Sequence, residues 1–346
     1  LFTTTCYVVN SITSEIQIID LKTETTIGYI DMGEGRNPFW MAFSDPDTQY
    51  AWVTCSMVDS LFKVDVINRN LVAGYPIGVW PEGILILDSL AYVCISAFDI
   101  NTYVYGQGKV VVFDTRTNSI IKELNVGTNP QYISLDNQGE IYVCCSGDYW
   151  SAWGTIYIID PKINEIKDSI QVGGSPGQIT ISPDGVGWLA AGGWSSDGQI
   201  YLFDSEADTV IRGADNPLEI PGDSGIISLS NFQDSTVFAC AFQADEIMKL
   251  DTSGSVLKRY LLGDGPIHLD FNYAYGDVNG DFQTSIVDAV YLVGFLFKDG
   301  KEPPKPVWRA DPNADCRISI SDVVYLVNYL FKGGPPPKHG CVHWIP

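Results

Sequence analysis

Residues 141–144 read Ile141-Tyr142-Val143-Cys144, and a second apolar run ends sixteen residues later in Asp160. This pairing of an aromatic-led strand with a strand closed by Asp recurs along the chain. The leading strands are Cys6-Tyr7-Val8-Val9-Asn10, Ala51-Trp52-Val53-Thr54-Cys55, Ala91-Tyr92-Val93-Cys94, Gly187-Trp188-Leu189-Ala190 and Val237-Phe238-Ala239-Cys240. Their closing acids are Asp20, Asp65, Asp114, Asp204 and Asp251, so that successive acids lie 45, 49, 46, 44 and 47 residues apart. A third apolar run follows each Asp, as at 26–30 and 120–126. A Gly/Pro turn then leads into a fourth, beginning near Pro38, Pro81, Pro130, Pro176, Ser224 and Pro266.

Four short strands in about 46 residues is the arithmetic of a propeller blade. Six repeats therefore predict an all-β six-bladed β-propeller over residues 1–274. An Asp at a strand end accepts hydrogen bonds from backbone N–H groups just ahead of it, so the six acids are assigned to turns. The strand sequence Tyr7-Val8-Val9-Asn10, its five copies and the Gly-x-x-Pro turns resemble the YVTN family of propellers, found in extracellular and surface-layer proteins. The resemblance implies that the Pro-led strand lies innermost. The chain then opens on the second strand of a blade, and residues 266–271 close that blade with the N-terminal strands, leaving no unpaired edge.

After Phe271 the period stops. Asp277, Asn279, Asp281, Gln283, Ser285 and Asp288 take alternate places in one twelve-residue loop; Asp311, Asn313, Asp315, Arg317, Ser319 and Asp322 do so 34 residues later. Hard oxygen ligands so spaced, with a backbone carbonyl from the seventh residue, suit Ca²⁺. Each loop runs into an apolar helix, expected over 289–297 and 323–331. Residues 275–346 resemble a type I dockerin, a small α-helical module of paired EF-hand-like loop–helix units. That resemblance implies two Ca²⁺ ions and a protein partner, either a cohesin or another copy of this chain. Phe282 and Cys316 stand where such loops usually carry Gly, which predicts strain there. The helices are apolar nearly all round, so Tyr291, Phe295, Tyr325 and Tyr329 are candidate partner contacts. Only residues 272–276 separate the last strand from this module, which argues for a rigid junction.

Lys+Arg 20 against Asp+Glu 42 gives a net charge of −22, which excludes a nucleic-acid binder because phosphate contacts need a basic surface. It also disfavours anionic lipid, and no apolar run of 18 residues exists to span a membrane. Residues 275–346 carry a net −1 and the remainder −21. Two bound Ca²⁺ would make the tail cationic and complementary to the acidic propeller, favouring head-to-tail contact between copies and a filament. The start at Leu1, without Met, fits a secreted chain whose signal peptide has been removed.

Most cysteines fall in the aromatic-led strands and read as buried thiols, with one inter-blade disulfide from Cys94 to Cys55 or Cys145 as the alternative. Cys316 with Cys341 is the preferred disulfide. Tyr149, Trp150, Trp153 and Trp194 lie in long loops on one rim, as possible glycan or protein contacts. His268 shares innermost-strand positions with Glu82, Gln131 and Gln178, the place to seek a central-channel catalytic site. No nucleophile with a base is legible there, so the expectation is a non-catalytic structural protein. The alternatives are a glycan-binding propeller attached to a separate cohesin scaffold, and a propeller enzyme.

Overall fold

The computed structural model describes residues 5–43, 49–136, 138–182, 184–191, 197–231, 236–263, 265–271, 275–280, 283–298, 304, 307–338 and 340. The chain divides into two compact units with its main boundary between Asp270 and Phe271, four residues earlier than the repeat suggests.

The larger unit is a six-bladed β-propeller. Blade one holds Thr5–Asn10, Glu15–Asp20 and Thr25–Asp31. Blade two runs Pro38–Phe43, Tyr50–Cys55, Ser60–Asp65 and Asn70–Pro76; blade three Pro81–Leu87, Leu90–Ile95, Lys109–Asp114 and Ser119–Asn125. Blade four runs Pro130–Leu135, Ile141–Cys145, Thr155–Asp160 and Glu165–Gln171. Blade six runs Ile226–Asn231, Val237–Ala241, Glu246–Leu250 and Val256–Leu261. Each is an antiparallel meander. The Pro-led strands of blades two, three and four pack against one another in turn, followed by those of blades five and six, and so form the inner ring.

Burial follows this order. Ala51–Cys55 and Ile141–Cys145 are buried at every position, because blades cover both faces of the second strand. The outermost strand Ser119–Asn125 is exposed except for the buried Leu124 and the half-buried Lys122. The apolar cores lie at the seams: Tyr142, Ile156 and Ile158 of blade four interleave with Leu189, Tyr201 and Phe203 of blade five. Trp52 and Leu61 of blade two likewise meet Val111 and Phe113 of blade three.

All six predicted turn acids do what was expected. Asp20, Asp65, Asp114, Asp160, Asp204 and Asp251 each accept the N–H of the residue two ahead, at 2.8–3.0 Å. A bulge precedes the acid in every blade, for example between Ile158 and Ile159. The residue four beyond the acid is left-handed in five blades: Glu24, Arg69, Asn118, Asn164 and Asp208, with φ 53–57°.

This left-handed residue also explains the aromatic lead. The Tyr92 hydroxyl of blade three donates to Asn164 Oδ1 of blade four at 2.5 Å. The Tyr142 hydroxyl of blade four reaches the Ser205 carbonyl and Asp208 Oδ1 of blade five, both at 2.8 Å. The motif tyrosine therefore latches its blade to the next blade's turn. Tyr142→Phe is expected to lower unfolding stability by about 1–2 kcal/mol in chemical denaturation, since it leaves buried acceptors without their donor.

Three details depart from the sequence reading. Residues 265–271 join no ladder, so the blade expected to close with 266–271 has three described strands; Pro266 has no N–H to contribute. Blade five holds Ile179–Ile181, Val186–Ala190 and Asp197–Asp204, and its outer strand is split into Thr209–Arg212 and Leu218–Ser224, both paired with Asp197–Asp204. Pro217 lies between the two pieces and breaks the run. Cys55, Cys94 and Cys145 are free thiols, so the alternative inter-blade disulfide is not formed. Burial pushes the Cys145 thiol up to about 12, which leaves it inert.

The smaller unit contains two helices, α1 (Ile286–Phe297) and α2 (Ile320–Lys332), with a 3₁₀ turn at Val307–Ala310. Both start three residues before the expected positions. Ser285 and Ser319 cap them, and the Asp288 and Asp322 side chains return a bond to the cap residue, completing a capping box at each helix. Ala289 and Leu292 of α1 pack against Val323 and Leu326 of α2, together with Val278 and Ala310.

Candidate functional site

The second acidic loop folds around its first residue. Asp311 is fully buried and accepts the N–H groups of Asp315 and Cys316, each at 3.1 Å. Asn313 Oδ1 accepts the Asp315 N–H at 2.8 Å, and Asp315 Oδ1 accepts that of Arg317 at 3.0 Å. Cys316 takes the left-handed conformation at φ 60°, where Gly would rest without strain, as expected. These turns bring carboxylate oxygens of Asp311, Asp315 and Asp322 within 4.8 Å of one another. Asp322 is fully buried, and its Oδ1 has no hydrogen-bond partner. Burial foremost, with the charges of Asp311 and Asp315, pushes its carboxyl up to about 7 against the pull of backbone donors. Three convergent acids with an orphaned buried oxygen fit a hard cation, whose positive charge would offset both costs. Ser319, the ninth residue, uses its hydroxyl to cap α2 through the Ser321 N–H.

The first loop repeats the scaffold. Asp277 and Asp288 are fully buried; Asp277 accepts the Gly280 N–H at 2.8 Å, and Asp288 accepts those of Asn279 and Ser285 at 3.1 and 2.7 Å. Burial, then the charge of Asp277, raises the Asp288 pKa. Gln283 is exposed, and Asp281 lies outside the described residues. One participant escaped the sequence reading. Arg309, 2% exposed in the 3₁₀ turn, stands 3.7 Å from Asp277 Oδ2. No spacing in the sequence connects the two, because the contact comes from the folding back of the inter-helix segment.

Tyr291 and Phe295 pack against the module's own core and are half-buried. Tyr325 is half-buried and donates to the Pro336 carbonyl, whereas Tyr329 is exposed. The exposed apolar residues are chiefly Val287, Val290 and Phe297 on α1 and Ile320, Val324 and Phe331 on α2. Cys316 is disulfide-bonded; Cys341, the partner expected for it, lies outside the described residues.

On the propeller, Trp150 is 86% exposed, and Tyr149 and Trp153 are about half exposed. Asp148 orders their loop by accepting the Ser151 hydroxyl at 2.6 Å and the N–H groups of Trp150, Ser151 and Ala152 at 2.7–2.9 Å, and these bonds, the hydroxyl's foremost, hold its carboxyl well below the usual range. Trp194 lies outside the described residues. Of the four inner-ring residues, only Gln178 and His268 meet, with Nε2 and Nδ1 3.2 Å apart. The Trp40 ring stands edge-on to His268 at 4.9 Å, and enclosure by protein lowers the His268 pKa although the ring keeps solvent contact. Gln131 accepts from Ser146, and Glu82 from Ser96, each within its own blade.

No protein-family model matches the chain, and no curated protein matches it by sequence. Many solved chains resemble its fold. One is a chain of Kuenenia stuttgartiensis hydrazine synthase, with a TM-score of 0.65 and 14% identity over 77% of this chain and 85% of that one. Likeness at that identity extends to the fold alone. The chain is a six-bladed β-propeller with a C-terminal pair of helices.

Proposed function

We propose that this is a secreted, non-catalytic assembly protein whose propeller is held in an extracellular or cell-surface structure by a calcium-loaded, dockerin-like module. The observation that carries the reading is the cluster of Asp311, Asp315 and Asp322, with the orphaned oxygen of Asp322 buried inside it. In the first loop Asp277 and Asp288 are likewise fully buried, and on that likeness a second Ca²⁺ ion is proposed there. The exposed apolar residues of both helices supply a surface for a protein partner. The partner is a second copy of the chain, drawn by the propeller's acidic surface, and the product is a head-to-tail filament.

Electron microscopy of the purified chain with Ca²⁺ and with EGTA tests this. Filaments that form with Ca²⁺ and disperse with EGTA are expected. Monomers that bind two ions would move the partner to a separate cohesin, and a chain that takes up no calcium would remove the reading. A second reading rests on Trp150 and Trp153, whose exposed rings could stack on sugar faces; the propeller would then be a glycan-binding unit on a cohesin scaffold. A silent glycan array with intact calcium binding decides against it.

A further inference from the structure

Glu82 stands on the innermost strand of blade three with only 3% of its surface exposed. Ser96 Oγ donates to one carboxylate oxygen at 3.4 Å; the other, Oε2, is buried without a partner. Across the seam in blade four, Asn129 is fully buried and its Oδ1 is likewise unpartnered. Its Nδ2 serves the Gly147 carbonyl at 3.2 Å and the Tyr149 hydroxyl at 3.4 Å. The two inner strands touch beside Glu82: a Cβ on Gly83 would lie 2.5 Å from the Gln131 carbonyl oxygen.

Three phenols adjoin these groups: Tyr149 at Asn129, Tyr105 beside Tyr149, and Tyr132, whose Cα a Cβ on Gly83 would meet at 3.3 Å. Tyr105 and Tyr149 stand with ring centroids 6.4 Å apart, and burial foremost, with the Glu82 charge as a lesser cause, raises the pKa of Tyr105, Tyr132 and Tyr149. Cys94 also feels that charge. No cation opposes it among the described residues, and burial pushes the Glu82 carboxyl up to about 8 against weaker help from Ser96 and Trp80. Two buried acceptors without donors are rare in a folded protein and costly unless something fills the gap.

The missing group must donate hydrogen bonds, carry positive charge and tolerate aromatic walls. A Ca²⁺ ion wants six to eight oxygens, more than one carboxylate and one amide provide. A neutral sugar hydroxyl brings no charge, so the carboxylate formed above about pH 8 would stay uncompensated. An ammonium group meets all three demands, because its N–H bonds suit the acceptors and its charge suits the ring faces. We propose that Glu82, Asn129 and the rings of Tyr105, Tyr132 and Tyr149 form a binding site for an organic ammonium group. The site goes beyond the assembly reading and does not depend on it.

Calorimetry on the full chain at pH 7, with methylammonium and Nα-acetyl-lysine amide as probes, tests the site. Methylammonium is expected to bind with release of close to one proton, read from two buffers of different ionisation enthalpy, because the amine displaces the proton on Glu82. Glu82→Gln should weaken binding at least tenfold while retaining its circular dichroism. Tyr149→Ala should weaken binding several-fold, whereas Tyr149→Phe keeps the ring and the affinity. Uptake of the lysine probe as well would extend the site to peptide side chains; uptake of methylammonium alone would confine it to small amines. The proposal fails if neither probe binds at pH 7 or 9, if Glu82→Gln binds as tightly, or if equimolar K⁺ displaces methylammonium.

Discussion

Calcium titration of the intact chain is expected to register two ions, and removal of calcium by EGTA is expected to melt the helices at 286–297 and 320–332. The module's core is small: among the described residues its buried apolar cluster is Val278, Ala289, Leu292, Ala310, Val323 and Leu326. A core of that size cannot hold about 70 residues together without a metal or a similar staple. The metal-free loops also confine buried acids of like charge, which the ion would neutralise. Asp311→Asn should reduce uptake to one ion, because it removes charge from the second site while its remaining oxygen still accepts a loop N–H. Asp277→Asn should have the same effect on the first. The second site is expected to be the tighter, since the Arg309 guanidinium beside Asp277 opposes a cation in the first. Helical circular dichroism followed against free calcium checks both statements; helices indifferent to EGTA would contradict them.

The second large effect is a slope of propeller stability against pH. Burial of Glu82 holds its carboxyl at about 8, whereas an unfolded chain leaves it near the ordinary value of about 4.3. Between these values the folded state binds a proton that the unfolded state has lost. Stability therefore falls as pH rises, by about 1.4 kcal/mol per unit at the steepest from this residue alone. The loss is complete once the pH exceeds the folded value. Glu82→Gln stays neutral throughout and should abolish this component, so the variant should gain on the wild type progressively from about pH 5 to pH 8. Denaturant midpoints across that range provide the measurement. Parallel curves for the two proteins would show that Glu82 is ionised in the folded state. Saturating methylammonium should restore part of the loss above pH 7 if the ammonium site exists, which separates the two claims about this residue.

The blades were legible because their signals are local. An aromatic-led apolar run and an Asp before a turn act within a few residues, and all six acids bind the N–H groups expected of them. What escaped depends on contacts between distant segments. The reach of Tyr142 to Asp208 crosses a blade seam, and neither residue alone announces it. Residues 265–271 enter no ladder, although the repeat phase predicts a closing strand there. At the acidic loops the sequence identified the residue types and their order, but it selected aromatic residues as the partner face. Tyr291 and Phe295 share their surface with the module's core and are half-buried, while Val287 and Val290, which the sequence reading passed over, are exposed. The earlier helix starts were legible in principle: Ser285 and Ser319 each stand three residues before an Asp, a capping-box spacing.

That spacing gives Asp288 and Asp322 two employments at once. Each closes its acidic loop and, through the same carboxyl, bonds the first free N–H of a helix. Starting a helix is the improbable step of its formation, since several dihedral angles are fixed before any bond repays them. An ion that holds these carboxyls in place therefore acts as a nucleus for the coil-to-helix transition. Calcium concentration would then set how often the helices begin, and so how much apolar surface the chain displays, before any partner has been met.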